Sequence, residues 1–190
     1  MSVIRQDDFI DSVADALQFI SYYHPLDFVK AVNEAYEREQ NPAARDAMAQ
    51  ILINSRMCAE GHRPICQDTG IVTVFLKIGM DVQWDAELSV SDMVNEGVRR
   101  AYTHPDNVLR ASILEDPAGA RRNTKDNTPA VIHMEVVKGD TVDVQLAAKG
   151  GGSENKSKLV MLNPSDSIVD WVVKTIPTMG AGWCPPGMLG

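Results

Sequence analysis

Apolar residues in the first sixty positions recur at intervals of three and four. Phe9, Val13, Leu17 and Ile20 follow Asp7-Asp8, which predicts an amphipathic helix capped by that acidic pair. His24-Pro25 interrupts the pattern, and Phe28, Val32 and Tyr36 then mark one face of a second helix. Pro42 suits the first turn of a third helix, "AARDAMAQILINSRMCAE", which Gly61 is expected to end. Cys58 falls in the last turn of that helix, beside Met57, where a packing role is expected.

The texture changes at Cys66. "IVTVFLKI" (71–78) is β-branched and strand-like, with Gly79 as its stop. "SVSDMVNEGVRRAYTH" reads as a capped helix carrying Val90, Val94, Val98 and Ala101 on one side. Residues 102–129 are mostly loop, with prolines after His104, Asp116 and Thr128. "AVIHMEVV" and "TVDVQLAA" flank a Lys-Gly-Asp turn and predict a β-hairpin, in which His133 alternates with apolar neighbours as a face or core histidine. "KGGGSENKSK" and "LVML" follow, then a helix from Ser165 or Ser167 through "IVDWVVKTI". The chain closes on "PTMGAGWCPPGMLG", an ending expected of a piece of a longer polypeptide. The reading is an α/β (or α+β) fold, with a helical N-terminal portion (1–61) packed on a mixed sheet with interspersed helices (62–190). No internal repeat is visible.

Composition narrows the function classes. The 190 residues are 44% hydrophobic and 23% charged, as in ordinary globular proteins, with a net charge of −8. That charge argues against non-specific binding to nucleic acid or anionic membrane. No apolar run approaches the roughly 18–20 residues that span a bilayer. The acidic, amphipathic N-terminus lacks the basic start of a signal peptide, so a cytoplasmic location is expected. The three cysteines, Cys58, Cys66 and Cys184, have neither a disulfide framework nor zinc spacing, and none pairs with a histidine at finger spacing.

Two stretches carry candidate chemistry. "GGGSENKS" (150–157) nearly fits a phosphate loop, but Asn155 stands where the second glycine belongs. Three glycines flanked by Lys149 and Lys156 also suit a carboxylate cradle, or a plain tight connection. In "RPICQDTG" (63–70), Cys66 is open to three readings. It can fill core; it can be a nucleophile, with His62 four residues off but Pro64 between; or it can be a metal ligand with distant partners. Cys184 qualifies as such a partner, because a cysteine followed by proline is a frequent iron–sulfur setting.

"RPICQDTG", "NVLR" (107–110), "AAKGGGSENKSK" (147–158) and "GAGWCPPG" (180–187) together resemble the class I fumarate hydratases, the iron–sulfur hydro-lyases related to L-tartrate dehydratase. The resemblance runs from about residue 10 to the end and matches the N-terminal part of the cluster-binding domain. It implies a hydro-lyase interconverting fumarate and L-malate, in proteins that are commonly homodimers. Cys66 and Cys184 would be two of three ligands to a [4Fe-4S] cluster, with the third cysteine beyond Gly190. Asp68 would act on the substrate hydroxyl, with Gln67 beside it. Arg110 and the Gly152 N–H would hold the carboxylates. The proton-transfer base is expected outside these residues, so the chain alone is expected to be inactive. A tartrate dehydratase shares these motifs, and a folded module without a cluster is the non-enzymatic alternative.

Overall fold

The computed structural model describes residues 2–150 and 158–179. The chain divides into two compact units, Met1–Lys149 and Gly150–Gly190.

In the first unit a short strand β1 (Val3–Arg5) leads directly into α1 (Gln6–Tyr22). The residue capping α1 is Arg5, without a side-chain cap. Asp7 and Asp8 lie inside the first turn, where negative charge suits the helix dipole, and Asp8 binds the Arg5 guanidinium at 2.8 Å. The expected acidic cap is therefore an acidic first turn. β1 pairs in parallel with β3 (Gln83–Asp85), a contact the sequence pattern did not reveal. α2 (Leu26–Arg38) and α3 (Pro42–Gly61) pack side by side. Asn41 caps α3 by accepting from the Ala43 N–H at 2.9 Å, with Pro42 in the first turn as expected. Gly61 is the last helical residue, and the left-handed turn that ends α3 falls one residue later, at His62 (φ 47°).

β2 (Ile71–Gly79) alternates cleanly. Val72, Val74 and Leu76 are buried while Ile71 and Phe75 face outward. Against the buried face lie Phe9, Ile10, Val13 and Leu17 of α1, with Met93, Val94, Val98 and Ala101 of α4 (Val90–Tyr102). Ser89 caps α4 by accepting from the Asp92 N–H at 3.2 Å. Each of these buried side chains other than Ala101 contributes roughly 1.5–3 kcal/mol relative to exposure.

The expected hairpin is not formed. β6 (Val131–Val137) pairs in parallel with β2, and β7 (Val142–Lys149) pairs antiparallel with the opposite edge of β2, giving the order β6-β2-β7. The turn at 138–141 therefore straddles the end of β2 instead of closing a ladder. Gly79 N–H donates to the Thr141 carbonyl, Met80 N–H to Val137 and Asp81 N–H to Gly139, each at 2.9 Å. A Cβ on Gly79 would lie 2.6 Å from the Gly139 carbonyl carbon, so a side chain there would block the crossing. The physical reason is burial. The strand with the most apolar inner face takes the centre, and the more polar β6 and β7 take the edges. His133 is exposed and stacks on Phe75 of the neighbouring strand, with centroids 4.9 Å apart.

Residues 103–130 are irregular apart from a two-residue pairing of β4 (Leu114–Glu115) with β5 (Arg122–Asn123). In the second unit, Ser167 caps α5 (Ile168–Thr175) by accepting from the Asp170 N–H at 3.2 Å. Among the described residues no helix is long and apolar enough to cross a membrane.

Candidate functional site

The loop carrying Cys66 is fixed from both ends. On its entry side, Ile65 N–H donates to the Ser21 carbonyl of α1 at 2.8 Å, and the Asn54 side chain of α3 donates to the Ile65 carbonyl at 3.0 Å. The buried Cys58 thiol donates to Asn54 Oδ1 and to the Pro64 carbonyl, both at 3.6 Å. Burial pushes its ionisation upward, against the opposing charge of Arg63. Cys58 is thus packing and support, as expected, and a poor source of thiolate.

On the exit side the chain turns through Gly70 (φ 80°) into β2, where a Cβ would lie 2.6 Å from the Lys149 carbonyl carbon. Only glycine combines that backbone angle with so close an approach. Ile71 is paired with Lys149, so the residue preceding the triple glycine in the chain stands opposite the end of the Cys66 loop.

Between these anchors Cys66 is half-buried. Its sulfur lies 3.3 Å from Gln67 Oε1 and accepts the Asp68 N–H at 3.5 Å. Asp68 Oδ1 in turn accepts the Gly70 N–H at 3.3 Å. A cavity of ≈ 160 Å³ opens here, lined in part by Ser21, Cys66, Asp68, Thr69, Tyr102 and Leu109. A larger groove of ≈ 460 Å³, bordered by Asp15, Tyr22, His62 and His104, shares no lining residue with it. The larger groove carries no thiol, so the smaller cavity, which holds Cys66 and Asp68, is the chemical candidate.

The segment bearing Arg110 meets this loop through the backbone. The Thr69 hydroxyl donates to the Arg110 carbonyl, and the Arg110 side chain is exposed, with no ion pair among the described residues. Leu109, buried beside it, anchors the segment. The Tyr102 hydroxyl donates to the Thr69 carbonyl at 2.7 Å. Burial pushes the Tyr102 ionisation up to about 12; the Thr69 bond works against that shift and the Asp68 charge adds to it. Asn127 joins the same cluster: its side chain donates to the Gly70 carbonyl at 2.9 Å.

The structure thus brings Cys66, Gln67 and Asp68 together with the Arg110 backbone. Gly152 and Cys184, and with them residues 151–157 of the phosphate-loop reading, lie outside the described residues. Sequence reasoning missed Thr69, Tyr102 and Asn127. Tyr102 had one available signal, a phenol ending an apolar helix face, whose buried hydroxyl needs an acceptor.

The donor set suits an iron–sulfur ligand at one position. Cys66 offers a partly open thiol at a cavity mouth, whereas Cys58 does not. Among the described residues no group of three or more His, Cys, Asp or Glu is arranged to hold a metal ion. Cys66 fits as one contributor to a shared site.

A family model described as Fumarate hydratase (Fumerase) matches residues 10–190. The putative L(+)-tartrate dehydratase subunit alpha of Methanocaldococcus jannaschii is 32% identical over 95% of this chain and 65% of its own length. The L(+)-tartrate dehydratase subunit alpha of Escherichia coli is 25% identical over 94% of this chain and 59% of its own. The anaerobic class I fumarate hydratase of E. coli is 33% identical over 72% of this chain and 25% of its own. The chain spans less than two thirds of the length of each of these relatives.

Proposed function

The chain belongs to the fumarate hydratase (Fumerase) family, and from that footing we propose that it contributes to a hydro-lyase interconverting fumarate and L-malate. The observation that carries the reading is the half-buried Cys66 thiol beside Asp68 at a cavity mouth, with the Arg110 segment bound to the same loop.

In this reading Cys66 and Cys184 hold a [4Fe-4S] cluster together with a third thiolate. Cys58 is not that third ligand, because its thiol is buried and engaged with Asn54 and Pro64. When bound, the cluster supplies an iron without a protein ligand, a Lewis acid toward the substrate hydroxyl and its neighbouring carboxylate. The base that moves the carbon-bound proton is expected outside these residues, and the chain's own groups meet the hydroxyl and the carboxylates. Asp68 accepts a hydrogen bond from the hydroxyl that adds or leaves, and Gln67 orients that oxygen. Arg110 binds one carboxylate with its planar fork, and the Gly152 N–H approaches the other without a Cβ in the way. Hydration moves one hydroxide and one proton across the double bond, so no electrons leave the substrate. The two clamps meet two negative charges, which suits a dicarboxylate.

With one of its three cysteines committed to packing, the chain by itself holds part of a site, and we expect it to be inactive alone. A second reading, an L-tartrate dehydratase-type hydro-lyase, is favoured by relatives of that name matching 94–95% of the chain. A substrate panel on the protein purified anaerobically from its own cells, with any co-purifying subunit, tests the choice. Faster turnover of malate and fumarate than of tartrate is expected, and faster tartrate turnover overturns it. No turnover of any of the three, with no bound iron, favours a folded module without a cluster.

A further inference from the structure

Asn127 has no part in the chemistry proposed above, yet it lies where the two site loops meet. Its side chain is 0% exposed and its backbone is left-handed at φ 62°. The amide uses both ends. Nδ2 donates to the Gly70 carbonyl at 2.9 Å, while Oδ1 accepts from the Ser112 N–H at 2.7 Å and the Ile113 N–H at 3.3 Å. Residues 66–70 belong to no helix or strand, and neither do residues 110–113. No ladder or helix therefore fixes one segment against the other, and side chains must do so. Thr69 supplies one tie, to the Arg110 carbonyl, and Asn127 supplies three bonds from a single buried group.

We propose that Asn127 is a positioning residue that sets the Cys66–Asp68 loop against the Arg110 segment, coupling the group that handles the hydroxyl to the clamp that holds the carboxylate. Its consequence for turnover rests on the hydro-lyase reading; the coupling itself does not. An amide suits the position because it joins one donor and one acceptor on a short, flat group. An ionised carboxylate has no proton for Gly70, and an apolar side chain would remove the partner of the buried Gly70 carbonyl and of two part-buried N–H groups. A short dicarboxylate has a fixed span between carboxylate and hydroxyl, so a small shift between the loops spoils alignment at both ends.

The test is residue-resolved labelling of the 190-residue chain, read by peptide mapping, with iodoacetamide on Cys66 and phenylglyoxal on Arg110. Asn127→Ala is expected to change both rates by about threefold or more. Val13→Ala, a core substitution on α1 that also destabilises, is expected to leave both near the unsubstituted rates. Asn127→Asp keeps the acceptor toward Ser112 and Ile113 but, when ionised, sets a carboxylate against the Gly70 carbonyl. Its Cys66 rate, taken relative to the unsubstituted chain, should depart at alkaline pH and return as the carboxyl protonates, while Arg110 stays near the original rate. If Asn127→Ala does not fold, that pH pattern decides alone. The proposal is overturned if Asn127→Ala moves the two rates no more than Val13→Ala does, or if the Asn127→Asp effect is independent of pH. Iron binding is measured separately. Coupled labelling in a protein that binds no iron would sink the hydro-lyase reading and leave the positioning role standing.

Discussion

The Tyr102 hydroxyl, on the last residue of α4, donates to the Thr69 carbonyl at 2.7 Å and ties the cysteine loop to the helix that covers the sheet. Tyr102→Phe keeps the ring packing and leaves that carbonyl without its donor. The expected cost is about 1–2 kcal/mol, seen as a Tm lower by roughly 2–6 °C. The burial of the phenol also has a pH signature. Burial raises the folded Tyr102 value from 10.0 to about 12, so its protonated form is favoured in the native state. That contribution is whole below pH 10 and is lost as pH rises toward 12. Tyr102→Phe should flatten this part of the alkaline unfolding curve, and an unchanged curve would contradict the assignment.

Gly70→Ala should cost more than Gly139→Ala. Both glycines have positive φ, 80° and 117°. Only at Gly70 would the added Cβ meet backbone, at 2.6 Å from the Lys149 carbonyl carbon and 2.8 Å from that of Ala148; nothing lies within 4 Å at Gly139. Both variants pay for the backbone angle, about 1–3 kcal/mol. Gly70→Ala must in addition push β7 away from β2. Urea unfolding of the two variants measures the difference, and equal losses would argue against the close approach.

Much of this was legible along the chain, and what was not has a common cause. The helices announced themselves because a 3.6-residue period is local, and Val94, Val98 and Ala101 are buried as their spacing implied. The β6–β7 hairpin failed because adjacency in sequence does not report a third strand slipping between two others. The site divides the same way. Cys66, Gln67 and Asp68 are neighbours in sequence and in space, so a short motif carried them. Asn127 meets Gly70 across 57 residues, and nothing near Asn127 encodes the partner. Its Asn-Thr-Pro setting marks a turn and no more.

Arg110→Lys separates geometry from charge at the proposed carboxylate clamp. Lysine keeps the positive charge but loses the planar pair of donors. In the active protein KM for malate should rise by about tenfold, with kcat changed less. A KM within twofold of the original would remove Arg110 from the clamp.

Asp126, next to the Asn127 tie, gives an acid-side test. Burial works against its charged form, but the Thr128 N–H and hydroxyl and the Arg99 guanidinium outweigh it and hold the carboxyl below its ordinary 3.8. The stabilisation is therefore present above pH 3.8 and is lost as pH falls through the lower folded value. Asp126→Asn should flatten the acid limb of stability in that window, by about 1 kcal/mol or less. Unchanged acid unfolding would contradict the network.

Iron and acid-labile sulfide content decides most directly whether Cys66 is a cluster ligand. It should be measured on protein purified anaerobically from its own cells, with Cys66→Ala, Cys184→Ala and Cys58→Ser compared side by side. The unsubstituted protein and Cys58→Ser are predicted to carry iron and sulfide in matching amounts, because serine keeps a donor for Asn54. Cys66→Ala and Cys184→Ala are predicted to lose both. Full iron content in Cys66→Ala, or none in the unsubstituted protein, would contradict the account.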